Sequence, residues 1–156
     1  MPLDELTALQ RELEVGLDDV RGAVRFSDEG YRRNLLRPGP GYHALILCWK
    51  AGQKSPIHDH RGSACGIRVL QGEVTETKFS RAPSGRLVEG ETGRLAEGCV
   101  CGSYDADIHE IVNLHPDGTD LVTLHIYSPP LLQMGLYSRD TAEVDVWTAP
   151  VATAAP

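Results

Sequence analysis

His58 and His60 are the residues whose type and spacing point most directly to chemistry. In the stretch GQKSPIHDHRGSACGIRVLQG, from Gly52 to Gly72, they stand two residues apart. On an extended strand both imidazoles then face the same way. Two neutral imidazoles on one face make half of a transition-metal site. For an isolated pair the plainer reading is an H-D-H turn facing solvent. The glycines bounding the stretch, and a second histidine-bearing stretch downstream, favour the metal.

The four cysteines, Cys48, Cys65, Cys99 and Cys101, could pair as two disulfides. A chain of this size does not need them, and a reducing cytosol would not keep them. Cys99 and Cys101 are spaced CxC rather than CxxC, which argues against a zinc knuckle or a thioredoxin-like redox pair. Cys48 and Cys99 read as small core residues on strands. Cys65, inside the histidine stretch, is the exception.

The elements that must position these groups follow from pattern. At 156 residues, 41% hydrophobic and 24% charged, the chain suits one domain, residues 1–156, with a core of its own. The net charge of -7, without a lysine- or arginine-rich run, argues against nucleic-acid partners and anionic membrane surfaces. No apolar stretch approaches a membrane span, and MPLDELTALQRELE lacks the features of a signal peptide, so a cytoplasmic location is expected. The oligomeric state is not legible, a monomer being compatible.

Residues 1–24 form a helical N-terminal segment, one amphipathic helix or two short ones broken near Gly16, with apolar positions at Leu3, Leu6, Leu9, Leu13, Leu17, Val20 and Val24. It should pack on the outside of the main fold. Short strands then follow at Tyr31–Leu36, His43–Trp49, Cys65–Leu70, Val74–Phe79, Arg86–Glu89, Gly93–Leu95, Cys99–Tyr104, His109–Asn113 and Leu121–Tyr127. Turns fall at Arg37–Gly41, Gln71–Glu73, Ala82–Gly85 and His115–Gly118. The expected class is mainly β, a small antiparallel barrel or jelly roll behind a helical start. Residues 149–156, rich in Ala, Thr and Pro, read as a flexible tail.

Gly52, His58, His60, Cys65 and Gly72 resemble the first motif of the cupin superfamily, with Cys65 in place of its usual glutamate. Gly98, His109 and Asn113 resemble the second, which departs at Tyr104 and Ala106, where proline and glycine are usual. The resemblance implies a cupin barrel with His109 as the third ligand beside His58 and His60. Three histidines without a carboxylate differ from the common two-histidine, one-carboxylate iron site and leave positive charge for an anionic substrate to balance. Zinc could occupy the same donors, so ligand type alone leaves the metal open.

YRRNLL, ILCW, HDH with Cys65 five residues on, LQGEVTET and LHIYSPP together resemble the thiol dioxygenase family, and within it the cysteine dioxygenases. The likeness runs from about Tyr31 to Pro130. It implies Fe(2+) held by His58, His60 and His109, with L-cysteine and O2 converted to cysteine sulfinic acid. Arg33 would bind the substrate carboxylate with Tyr31 beside it; a guanidinium's planar fork suits that task. Tyr127, joined to Cys65 through a Cys65–Tyr127 thioether, would help position substrate and the oxygen-derived ligand, while His125 and Thr123 support it. Met134 stands where mammalian members carry a cysteine near the pocket. A 3-mercaptopropionate dioxygenase is the nearest alternative, and a zinc-bound or metal-free cupin sensor a more distant one.

Overall fold

The computed structural model describes residues 1–149, and two antiparallel sheets face each other across its centre. Helix α1 (Leu3–Glu12) and a short 3-10 helix (Leu17–Ala23) precede eleven strands. These are β1 (Arg32–Gly39), β2 (Tyr42–Trp49), β3 (Ile57–His58), β4 (Ala64–Gln71), β5 (Glu73–Arg81) and β6 (Leu87–Ala96). Then come β7 (Val100–Tyr104), β8 (Ile108–Val112), β9 (Leu121–Ser128), β10 (Gln133–Tyr137) and β11 (Val144–Thr148). One sheet runs β1-β2-β9-β4-β7 and the other β11-β10-β3-β8-β5-β6. This is the mainly antiparallel, two-sheet architecture expected from the strand pattern.

Strand alternation sorts the side chains into two layers. Leu47, Trp49, Cys65, Ile67, Val69, Val74, Ile111, Leu121, Tyr127 and Met134 turn inward to one buried cluster. Ala44, Ile46, Cys48, Val122 and Leu124 point the other way and pack with Val20 of the 3-10 helix. The run HALILCW is continuously apolar because both faces of β2 are covered, one by the barrel interior and one by the N-terminal segment.

Helix α1 lies on β4 and β7. Its buried residues are Leu6, Thr7 and Gln10, whereas Leu9 and Leu13 stay exposed. Gly66 and Gly102, paired across β4 and β7, leave the hollow it occupies. A Cβ on Gly66 would meet Gln10 Oε1 at 2.3 Å, and one on Gly102 would meet Thr7 Cγ2 at 2.7 Å. Arg68 Nη1 donates to the Gln10 and Leu13 carbonyls, satisfying the end of the helix.

Several strands differ from the sequence expectation. Strand β1 continues through Pro38, which an edge strand tolerates because its missing N–H faces outward. Arg86–Glu89 and Gly93–Leu95 belong to one strand, β6, whose pairing with β5 shifts at Thr77/Phe79 and carries it past Gly90. Strands β10 and β11 occupy a region that the pattern left unassigned. Cys48 is buried as expected, but Cys99 is exposed in the turn before β7 and does not join the core. All four cysteines are free. Of the expected tail, Ala149 donates its N–H to the Leu132 carbonyl, and residues 150–156 lie outside the described residues. No helix among the described residues is long and apolar enough to cross a membrane.

Candidate metal centre

The three histidines converge in the barrel interior, with one ring nitrogen of each within 4.8 Å of the others. His58 on β3 pairs directly with His109 on β8. His60 lies just past the end of β3, not on a strand as its spacing implied. Its N–H reaches the Asp105 carbonyl at 2.9 Å. Asp105 takes a left-handed backbone conformation (φ 45°) and accepts from the Gly62 N–H. The turn before His109 therefore forms despite Tyr104 and Ala106, since Asp tolerates this region.

Hydrogen bonds select the free nitrogen of each ring. His58 Nδ1 lies 2.8 Å from the Pro56 carbonyl, which can only accept, so Nδ1 carries the proton. His109 Nδ1 donates to Glu76 Oε1 at 2.8 Å, and His60 Nδ1 lies 3.3 Å from Ser103 Oγ. The Nε2 lone pairs of His58 and His109 then face each other at 3.2 Å. Two such lone pairs repel unless a cation lies between them, and nitrogens bound about 2.1 Å from one cation sit about 3.0–3.4 Å apart. The donor set fits a resident metal.

Burial, reinforced by His109, lowers the His58 pKa to about 3. Burial and the neighbouring imidazoles hold His60 well below the usual range. Neutral imidazoles are the form a metal needs. On the other side, burial of Glu76 is outweighed by its hydrogen bond to His109, which keeps the carboxyl below its usual range.

Arg33 reaches inward from β1, its guanidinium carbon 5.5 Å from the Tyr127 ring centre. Burial disfavours its charge, but the Tyr127 and Tyr31 phenols outweigh that effect. Among the described residues no carboxylate forms an ion pair with it. Tyr31 stacks on Trp49, with ring centres 4.3 Å apart. A cationic fork beside a metal-binding histidine cluster suits a small ligand that carries a carboxylate and a metal-binding end.

Cys65 and Tyr127 are direct cross-strand partners on β4 and β9. Thr123, His125 and Tyr127 share the inward face of β9 and connect in a row. Trp49 Nε1 donates to Thr123 Oγ1 at 3.1 Å, Thr123 Oγ1 is 3.0 Å from His125 Nε2, and His125 Nδ1 is 3.2 Å from the Tyr127 hydroxyl. Burial raises the pKa of both the Cys65 thiol and the Tyr127 phenol, and burial followed by the Arg33 charge lowers that of His125.

The family described as cysteine dioxygenase type I matches residues 2–140. This chain belongs to that family. It is 30% identical to cysteine dioxygenase type 1 of Danio rerio over 145 residues, covering 89% of this chain and 71% of the relative. The Homo sapiens enzyme of the same name is 32% identical over 133 residues, covering 82% and 66% respectively. The fold also resembles a double-stranded β-helix protein from Klebsiella pneumoniae, with a TM-score of 0.61 at 15% identity, covering 88% of this chain and 93% of that one. A Thermus thermophilus protein gives 0.60 at 19% identity, covering 76% and 99%. These two likenesses concern the fold alone.

Three contributors to this cysteine dioxygenase family site escaped the sequence reading. Asp59, between the two histidines, is buried and accepts from the Gly135 N–H and the Tyr137 hydroxyl, each at 2.7 Å, which anchors the histidine turn to β10. Glu76, in the quoted LQGEVTET, sits diagonal to His109 across β5 and β8, where its carboxylate can reach Nδ1. Ser103 faces His60 from β7. Their signal is a polar residue at an inward strand position or between ligands, and it becomes readable only once the pairing is known.

Proposed function

We propose that this member of the cysteine dioxygenase family is an iron(II)-dependent enzyme that converts L-cysteine and O2 to cysteine sulfinic acid in the cytoplasm. The observation that carries the reading is the convergence of three histidines beside an Arg33 guanidinium that forms no ion pair with a carboxylate among the described residues. Bound iron would supply the activation of O2 and the transfer of both its oxygen atoms to sulfur. The reaction RSH + O2 → RSO2H balances without another reductant. His58, His60 and His109 would hold the iron and leave the rest of its coordination to substrate and O2.

The chain's own residues bind and orient. Arg33 takes the carboxylate, with Tyr31 alongside, so that the thiol end of a short substrate reaches the histidines. The Thr123–His125 row holds the Tyr127 hydroxyl facing that substrate. A thioether between Cys65 sulfur and the Tyr127 ring would lock the phenol further, removing two hydrogens in an oxidation for which O2 is the acceptor. The four free thiols are in keeping with a reducing compartment.

Oxygen uptake by iron-loaded protein, measured in parallel with L-cysteine, 3-mercaptopropionate and cysteamine and with products identified by mass, tests this reading. Uptake with L-cysteine yielding the sulfinate is expected. A clear preference for 3-mercaptopropionate would keep the iron site and overturn the substrate. No uptake with bound iron would overturn the reaction, and activity with zinc alone would overturn the metal.

A further inference from the structure

Trp147 is an aromatic residue beside Arg33 that the proposed mechanism leaves unused. It lies on β11, beyond residue 140, where the family match ends. Its ring centre is 5.3 Å from the Arg33 guanidinium carbon, about as close as the Tyr127 ring at 5.5 Å. Trp147 pairs across β10 and β11 with the buried Met134, and both pack against the cluster containing Cys65 and Tyr127. Trp147 itself is half-buried, which places its ring at the outer boundary of the Arg33 environment.

An arginine taken partly out of water, with no carboxylate partner among the described residues, is held by what surrounds it. Aromatic rings within about 6 Å stabilise its charge through their quadrupoles without occupying its hydrogen-bond donors. That leaves the fork free for a ligand carboxylate. The same ring also takes up space beside the guanidinium. With the thiol fixed at the histidines and the carboxylate at Arg33, one extra methylene must be accommodated against Arg33 and its aromatic neighbours.

We propose that Trp147 is a specificity-determining residue, which positions Arg33 for the carboxylate and limits the substrate to the length of cysteine. The inference rests on the thiol dioxygenase reading and deepens it. It assigns a role to the β10–β11 hairpin, bringing Trp147 to Arg33 from the far end of the chain.

The test is steady-state oxygen uptake by iron-loaded wild type, Trp147→Ala and Trp147→Phe with L-cysteine, L-homocysteine and cysteamine, with iron content and Tm measured alongside. In Trp147→Ala the KM for L-cysteine should rise about tenfold with kcat within about twofold, since an aromatic–cation contact is lost while the iron site is kept. The ratio of kcat/KM for L-homocysteine to that for L-cysteine should rise at least about tenfold, the discrimination one methylene carries in a closed pocket. Cysteamine, which lacks a carboxylate, should keep its KM, and Trp147→Phe should restore wild-type behaviour for L-cysteine. If Trp147→Ala loses its fold or iron, Trp147→Leu, which keeps apolar bulk for the hairpin, carries the same comparison. Unchanged KM and unchanged substrate ratio in an iron-loaded variant overturn the inference while leaving the dioxygenase reading in place. A wild type that consumes none of the thiols overturns that reading, and the inference with it.

Discussion

His109 Nδ1 lies 2.8 Å from Glu76 Oε1, and this contact turns the opposite nitrogen, Nε2, toward His58. A carboxylate in that place fixes the ring's tautomer and raises its basicity toward a metal. Glu76→Gln should lower iron affinity by about ten- to a hundredfold with the fold retained, because the amide accepts a weaker hydrogen bond. Competition against a chelator, followed by metal analysis, measures this directly. Wild-type affinity in the variant would reduce Glu76 to a bystander.

Arg33 offers a complementary test at the other end of the proposed substrate. Removing the guanidinium should raise the KM for L-cysteine and 3-mercaptopropionate at least tenfold, since charge-assisted hydrogen bonds contribute roughly 1.5–3 kcal/mol. The KM for cysteamine should change little. Arg33→Lys should recover part of the loss, as a point charge without the planar fork. Equal losses for all three thiols would show a general disturbance of the barrel instead.

The legibility of this site follows how local each cue is. His58 and His60 announce themselves through spacing and bounding glycines, and Gly52, Gly72 and Gly98 all adopt the left-handed backbone that favours glycine. The β2 run is equally readable because burial on both faces removes every polar interruption. Strands β10 and β11 are hard to read because QMGLY and VDVWT are short and partly exposed, and their inward residues acquire meaning only from β3 and Arg33. The orientation of α1 is likewise set at a distance: Gly66 and Gly102 admit Thr7 and Gln10, overriding the leucine stripe. Asp59 looks like a polar loop residue until Gly135 and Tyr137 arrive beside it.

The buried imidazoles give the metal-free protein a defined pH dependence. His58 stays neutral in the folded state down to about pH 3, and His60 and His125 also have depressed values. In the unfolded chain each takes up a proton near pH 6.5. The unfolded state therefore binds more protons below about pH 6.5, and stability falls as pH drops toward the folded-state values, by up to about 1.4 kcal/mol per pH unit for each histidine. The Tm of metal-free protein should be lower at about pH 5.5 than at about pH 7.5. A Tm that does not change over this interval would contradict neutral burial.

The opposition of Cys65 and Tyr127 on adjacent strands sets up a chemical test. Iron-loaded protein incubated with L-cysteine and O2 should yield a linked peptide pair from β4 and β9, lighter by two hydrogens than its components. Cys65→Ser should abolish that species and lower kcat, with iron content maintained. Incubation without iron should give none. A linked pair surviving in Cys65→Ser would assign the bond to another residue.

Gly135 shows how closely the second sheet controls the histidine turn. A Cβ there would stand 2.6 Å from Asp59 Oδ2, on the carboxylate that accepts from the Gly135 N–H and the Tyr137 hydroxyl. Gly135→Ala must push Asp59 away and break that clasp, costing about 1–3 kcal/mol of stability in the manner of an overpacked core. Because Asp59 lies between His58 and His60, the same displacement should weaken iron binding, although residue 135 is no proposed ligand. Thermal unfolding with and without iron separates the two effects: Tm should fall in both states, and the stabilisation gained on adding iron should shrink. A uniform fall, with the full gain from iron preserved, would show that Asp59 supports the fold without setting the ligand geometry.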